Sequence, residues 1–395
     1  MNMMTVADAS DFIRGITFKP HELIDASDPD AVVCMRTKNI QADLDQRDLI
    51  AVPSRLVRQE QKLLRAGDIL ISSANSWELV GKCSFVPELP YRATAGGFIA
   101  IVRPKSKTHP RFLYHWLNSP KTQHVIRHMG RQTTNISNLD VNRFKEIELP
   151  AFDFEEQRRI AEILDKADVI RRKREQALTL ADDFLRSVFL EMFGDPVTNP
   201  FGLSQRSLGS CSRFTSGATP SKANPAFWVG EFPWVSPKDM KVDTIRDAED
   251  HVSDLAFEQT NLKKIDAGTP LMVVRGMILV HTVPMVMTTR DVAINQDMKA
   301  ILFDKHIDPL FGFWCLKVQH EHILGKVDTA AHGTKRLDTD RLGEVMITVP
   351  DDDEQQRFLT IVRKFNQSRD VMTAAAAESV KLFAALSQRA FAGDL

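Results

Sequence analysis

The chain has 395 residues, 43% hydrophobic and 26% charged, which suits two or three globular domains and argues against a disordered or fibrous chain. The net charge is −1, and four cysteines (Cys34, Cys83, Cys211, Cys315) lie far apart with no Cys-x-x-Cys. No zinc ribbon fits, a disulfide framework is disfavoured, no apolar run approaches the roughly 18 residues of a membrane span, and a cytoplasmic setting is expected.

Residues 1–150 carry a net +4, and the acid-free stretch 89–139 holds eight cations and four histidines (His109, His115, His124, His128). Such a run permits a polyanion partner, although a solvated basic face would look the same. Short β-type runs fall at residues 31–35, 68–72 and 97–102, and residues 110–126 read as a helix with Phe112, Leu113, Trp116 and Leu117 on one stripe. After Pro150, Asp153 and Glu156 form an N-cap signature. Apolar positions then step by three and four through Ile160, Ile163, Ala167, Ile170, Ala177, Ala181, Phe184 and Val188, with a polar break at Arg174, until Gly194-Asp195-Pro196 stops the helix. A second set follows: a strand at 300–303, a helix at 309–323, then Asp351 and Glu354 opening a stripe of Phe358, Ile361, Phe365, Met372, Ala375, Leu382 and Leu386. Net charges of these later stretches are −3 (151–195), −1 (196–350) and −1 (351–395).

The second set is a near-copy of the first at an offset of 198–202 residues. Gly15 and Thr17 match Gly217 and Thr219; Lys38 matches Lys238; Ala66-Gly67 matches Ala267-Gly268; Phe112 and Leu117 match Phe311 and Leu316; Pro150 matches Pro350. Landmarks in the same order imply two copies of one unit, each a mixed domain followed by a helix. Each helix, about 40 residues, would be about 60 Å long. Seams of that length favour an antiparallel coiled coil, with small residues at Ala167, Ala177, Ala181 and Ala375 allowing close approach.

Catalytic motifs are missing. There is no phosphate-loop or dinucleotide fingerprint, and Gly217-Ala218-Thr219-Pro220-Ser221-Lys222 has the wrong spacing for the former. Asn199-Pro200-Phe201 resembles part of an amino-methyltransferase motif but reads as a linker turn after the helix stop. His124/His128 and His320/His322 lack carboxylates in a ligand pattern, so no metal site is expected.

The tandem units, the paired helices and the connector Met192-Phe193-Gly194-Asp195-Pro196 together resemble the specificity subunit of type I restriction–modification systems. The resemblance covers essentially the full length. Val6 opens one recognition domain and Leu208-Gly209 the other. Residues 217–222 are similar to that family's Gly-Gly-Thr-Pro-Ser stretch, and Glu156-Gln157 with Ile160 is similar to its Glu-Gln-x-x-Ile helix start. One departure is Pro270, where a strand start is expected to be displaced. The resemblance implies an α+β fold: two pseudo-symmetric α/β target-recognition domains (1–150 and 196–350) separated by two long antiparallel helices (151–195 and 351–395). It implies a non-catalytic subunit that binds a bipartite, asymmetric site on double-stranded DNA. Two methyltransferase subunits and restriction (translocase–nuclease) subunits would dock on it. No cofactor is expected in this chain; S-adenosylmethionine, ATP and magnesium would belong to the partners.

Base readout needs directional donors and acceptors on loops. The first domain offers Ser73, Asn75, Ser76 and Trp77, and Arg131, Gln132, Thr133, Thr134 and Asn135; Arg36 and Lys38 are expected on phosphate. In the second domain the candidates are Arg275, His281, His332, Thr334, Lys335 and Arg336, with Lys238 on phosphate. The run Arg171-Arg172-Lys173-Arg174 reads as a mid-helix face for acidic partners or passing DNA. Rival readings are a self-contained DNA-modifying or DNA-cleaving enzyme and a coiled-coil adaptor that binds no nucleic acid. Activity of the chain alone would decide the first, and salt dependence of DNA binding the second.

Overall fold

The computed structural model describes residues 2–129, 131–132, 137–329 and 333–395, with only the backbone of Arg131, Gln132 and Asp182. The chain divides into two compact units: residues 1–176 with 372–395, and residues 177–371. The division falls inside both long helices, Phe154–Phe193 and Asp352–Ala392, so each unit owns a stretch of each.

In the first unit a four-stranded antiparallel sheet runs in the order Ser10–Arg14, Ile99–Pro104, Ile69–Ser72, Cys83–Phe85. A three-stranded sheet beside it places Ala31–Met35 between Ile50–Pro53 and Ala93–Ala95. In the second unit the sheet order is Ser212–Ser216, Met298–Phe303, Pro270–Val273, Met285–Thr288, with Thr244–Ile245 added in parallel at the edge. Gly15 and Gly217 occupy one place in the two copies. At each, a β-carbon would collide with a carbonyl oxygen, of Gly96 in one and Ile294 in the other, so the backbone crossing admits only glycine.

Several local expectations change. The helix at 110–126 is two helices, Pro110–Asn118 and Pro120–His128, because Pro120 cannot continue the first and starts the second with Ser119 as N-cap. The helix at 309–323 likewise splits, at Gln319. Pro270 displaces nothing. It is the first strand residue, and Thr269 donates to the Thr288 hydroxyl at 2.9 Å beside it. Asn199, at φ 45°, does form a turn, its amide bridging to both polar atoms of the Leu203 backbone at 2.9 Å.

Asp153 and Asp351 cap the long helices as expected, each accepting from the backbone N–H three residues on at 2.8 Å. Within each unit the helix stretches are antiparallel: Arg174 meets the Ala375 carbonyl while Arg171 lies over Phe383, and Phe184 stacks on Phe365 while Phe189 meets Phe358. The buried seam keeps Ile160, Ala181 and Phe358 of the expected stripes but elsewhere on the first long helix runs about one residue later. Ile160, Ala161, Leu164, Leu185, Phe189 and Phe193 are buried, whereas Ile170 and Phe184 are half exposed. The apolar seams join domain cores. Ile160, Leu164 and Ala390 pack with Phe112 and Trp116 in one unit, and Phe189, Phe193 and Phe358 pack with Phe311 and Trp314 in the other. All four cysteines are free and buried. Burial pushes the thiols up, to about 12 for Cys34 and Cys315, which leaves them protonated and unreactive.

Candidate nucleic-acid interface

Each candidate loop projects from a domain fixed to its helix pair by the same two devices. A buried glutamine in the first turn of each long helix is stapled to the loop ahead of the domain helix. Gln157 donates to the Phe152 carbonyl and accepts from the His109 N–H, both at 2.8 Å; Gln355 donates to the His306 carbonyl at 3.0 Å and accepts from the Asp308 N–H at 3.1 Å. Further along, an arginine on the helix clasps an aspartate of the domain. Arg172 binds Asp43 in the first unit; Arg369, joined by Lys317, binds Asp243 at 2.8 Å in the second. Burial alone would raise Asp243, but the charges and hydrogen bonds of Lys317 and Arg369 outweigh it and hold the carboxyl below its ordinary value.

Beyond these anchors, backbone pairing joins the two loops that the sequence offers separately in each domain. In the first unit, Ala74–Asn75 pairs with Ser137–Asn138, which pairs in turn with Arg131–Gln132. The Leu139 N–H also donates to the Ser73 carbonyl at 2.9 Å. In the second unit, Arg275 bridges to Arg336, Gly276 donates to the Lys335 carbonyl at 3.0 Å, and Leu337 donates to the Val274 carbonyl at 2.8 Å. Segments about 60 residues apart in sequence thus form one platform per unit, half-buried over Ser73–Ser76 and exposed at Trp77 and Asn138 in the first, and exposed at Arg275, His281 and Arg336 in the second.

The platform side chains are pre-set. The Asn75 side-chain amide donates to the Ser72 hydroxyl at 3.1 Å, and the Ser76 N–H donates to the Asn75 side-chain Oδ1 at 2.9 Å. Hydrogen bonds from its own backbone and from Ser76 hold the Glu78 carboxyl below its ordinary value. Trp77 lies edge-on to His128 at 5.7 Å. In the second unit, Arg275 and His281 are exposed, Thr334 is half-buried, Lys335 donates to the Thr329 hydroxyl at 2.7 Å, and Arg336 pairs with Asp338 at 2.8 Å. The side chains of Arg131 and Gln132, and Thr133, Thr134, Asn135 and His332 entirely, lie outside the described residues.

The expected phosphate-holding cations are already paired. Arg36 donates to the Asp48 carbonyl at 2.6 Å, Lys38 contacts the Asp48 carboxylate, and Lys238 lies 3.0 Å from Asp250 and 3.1 Å from Glu249. A phosphate there would have to displace a carboxylate. The acid-free run is not acid-free in space either: Arg103 grips buried Asp68 at 2.7 Å, and Arg111 and His115 share Asp165. Burial alone would raise Asp165, yet the hydrogen bonds of His115 and Arg111 hold it at about 2. Within 171–174, Arg171 binds Asp168 and Glu175, Arg172 binds Asp43 and Asp168, and Arg174 donates to the Ala375 carbonyl, while Lys173 is exposed. Among the described residues no group of three or more His, Cys, Asp or Glu is placed to hold a metal ion, and no helix is long and apolar enough to cross a membrane.

Duplicated heads, matching anchors and paired loops agree with the comparison to known proteins. Residues 11–180 and 204–380 match the family model for the type I restriction modification DNA specificity domain. The chain belongs to this family. Its members are the DNA-recognition component of type I restriction–modification systems rather than a catalytic one, and binding DNA and docking partner subunits is their general role. The chain is 27% identical over 286 residues to the EcoR124I/EcoR124II specificity subunit of Escherichia coli, covering 70% of this chain and 68% of that one. It is 29% identical over 188 residues to the EcoKI specificity subunit of E. coli strain K12, covering 46% and 40%. The S subunit of M. genitalium shares the fold over 99% of this chain and 96% of its own, with a TM-score of 0.57 at 15% identity. A chain solved in work on assembly and conformational transition of the type I system matches over 100% and 98%, with a TM-score of 0.54 at 17% identity.

Some residues of this interface escape sequence reasoning. Phe98, 63% exposed, accepts at its carbonyl from Ser73 and so borders the first platform. Met277 and Ile278, 61% and 42% exposed, lie on the second. Gln157, by contrast, was already part of the Glu156-Gln157 helix start that resembles the family's.

Proposed function

We propose that this specificity subunit reads a bipartite, asymmetric duplex site, one half-site per unit, and carries two methyltransferase subunits to which restriction subunits are added. The observation that carries the reading is the backbone joining of both candidate loops into one platform in each unit, with different side chains on the two platforms. Unlike platforms on like scaffolds read unlike half-sites. The chain itself carries no cofactor in this reading; S-adenosylmethionine, ATP and magnesium act in the partners, in the cytoplasm. Each long helix is unbroken across the unit boundary and about 60 Å long, which supports a fixed spacer between half-sites.

Binding-site selection with the full chain tests the proposal. Asn75→Ala should relax base preference in one half-site and Arg275→Ala in the other, each by roughly 5- to 100-fold at its position, the range of a good bidentate base contact. Loss of preference in the same half, or in neither, would refute it. Lengthening both long helices by one turn should change the preferred spacer, and an unchanged spacer removes the ruler. Affinity should fall steeply with salt, whereas a salt-independent interaction would favour the adaptor reading.

A further inference from the structure

The second platform carries three exposed aliphatic side chains on one short turn, where its counterpart exposes Trp77 (37%), Leu79 (43%) and Phe98 (63%). Between the strands Pro270–Val273 and Met285–Thr288 the chain makes a short helical turn, Met277–Val280. Gly276, at φ 131°, sets its start. The turn is closed by Leu279 N–H to the Gly276 carbonyl at 3.2 Å and His281 N–H to the Ile278 carbonyl at 3.0 Å. Leu279 is buried and pins the turn to the core, which holds Met277 (61% exposed), Ile278 (42%) and Val280 (43%) outward. In the first unit the corresponding hairpin bears Ser73, Asn75 and Ser76 ahead of Trp77. Three large apolar side chains held side by side in water forgo burial free energy, so their cost calls for a covering partner.

Two cations flank the turn. Arg275 precedes it and Lys335 is attached through its backbone to Gly276, while the His281 imidazole follows it. Arg275 has no carboxylate partner among the described residues. A pad of methyl and methylene groups between positive charges complements a groove wall of duplex DNA, where phosphates lie outside and the thymine 5-methyl inside. A wedge between base steps needs one protruding side chain, and a three-residue pad on a short fixed turn is broader than that.

We infer that Met277, Ile278 and Val280 read thymine 5-methyl groups in the half-site of the second unit. This specificity contact rests on the DNA-reading proposal above. In that half-site, A·T pairs are distinguished by apolar contact.

The test uses the full chain and the duplex it selects from a random library, with each thymine replaced in turn by deoxyuridine, which lacks only the methyl. One or two positions of one half-site should lose about fourfold in affinity, the value of one buried methyl-sized group. The variant M277A/I278A should lose a similar factor on the unmodified duplex and become indifferent to deoxyuridine at those positions. Ile278→Val, which keeps an apolar surface, should retain the methyl dependence and serves where the double variant folds poorly. The inference is overturned if every deoxyuridine duplex binds within twofold, if the half-site holds no A·T pair, or if the variant and deoxyuridine losses simply multiply. A chain that selects no sequence at all refutes the DNA-reading proposal as well; selection without methyl dependence refutes this inference alone.

Discussion

The two units solve the same mechanical problem with different side chains. Where helix meets domain, the second unit builds an aromatic cluster: Phe189, Phe193, Phe311 and Phe358 have centroids 5.1 to 6.1 Å apart. The first unit uses Ile160 and Leu164 there, with Phe112 against Phe391 at 5.7 Å. The clasp differs too. Asp43 is 89% exposed and meets one arginine, whereas Asp243 is 23% exposed and meets both Lys317 and Arg369. Position is kept while chemistry varies, because a site needs only a helix-facing apolar side chain or an opposite charge to hold the head. The platforms take this further, since they stand outside the core and their side chains are free to diverge.

Breaking that parallel gives graded outcomes. Phe358→Ala should destabilise the second unit by about 4 kcal/mol, because it opens a void among four rings. Its counterpart Ile160→Ala should cost the first unit about 3 kcal/mol, and urea unfolding of the full chain ranks the two. Equal losses would deny the aromatic cluster any special weight. Asp243→Ala should cost about 2 kcal/mol by leaving two half-buried cations facing each other, against well under about 1 kcal/mol for solvated Asp43→Ala.

Asp165 sharpens the comparison through pH. Its folded value of about 2 lies below the ordinary 3.8, so its stabilising pairing with Arg111 and His115 is present above pH 3.8 and is lost as pH falls towards 2. Asp165→Asn should therefore cost about 1 kcal/mol near neutrality and flatten acid unfolding over that window. An unchanged acid limb would show that the pairing contributes no stability. The smallest effect is expected from Lys38→Ala and Lys238→Ala. With both lysines already on carboxylates, the salt slope of DNA binding should stay put, whereas a drop of about 0.9 would mean that phosphate displaces the carboxylate.

How much was legible depended on how local the signal was. The helix starts at Asp153 and Asp351, the stop at Gly194 and the glycines at Gly15 and Gly217 announced themselves, since caps and backbone crossings are enforced within a few residues. The charge of residues 89–139 misled, because Asp68 and Asp165, which meet Arg103 and Arg111, come from outside the run. Met277 and Ile278 drew no reading from the sequence. An apolar run resembles core in a string of letters, and only the turn pinned by Leu279 shows which of its members face water.

The duplication, the α+β character, the two long helices and the family resemblance were properties of the sequence alone, since each rests on periodicity or on landmarks in fixed order. Tertiary structure alone decided which cations remain open, which helix face is buried, and that loops some 60 residues apart form a single platform. Pairing between distant segments and burial depend on where the chain returns, and a residue's own neighbours in sequence carry no record of that return.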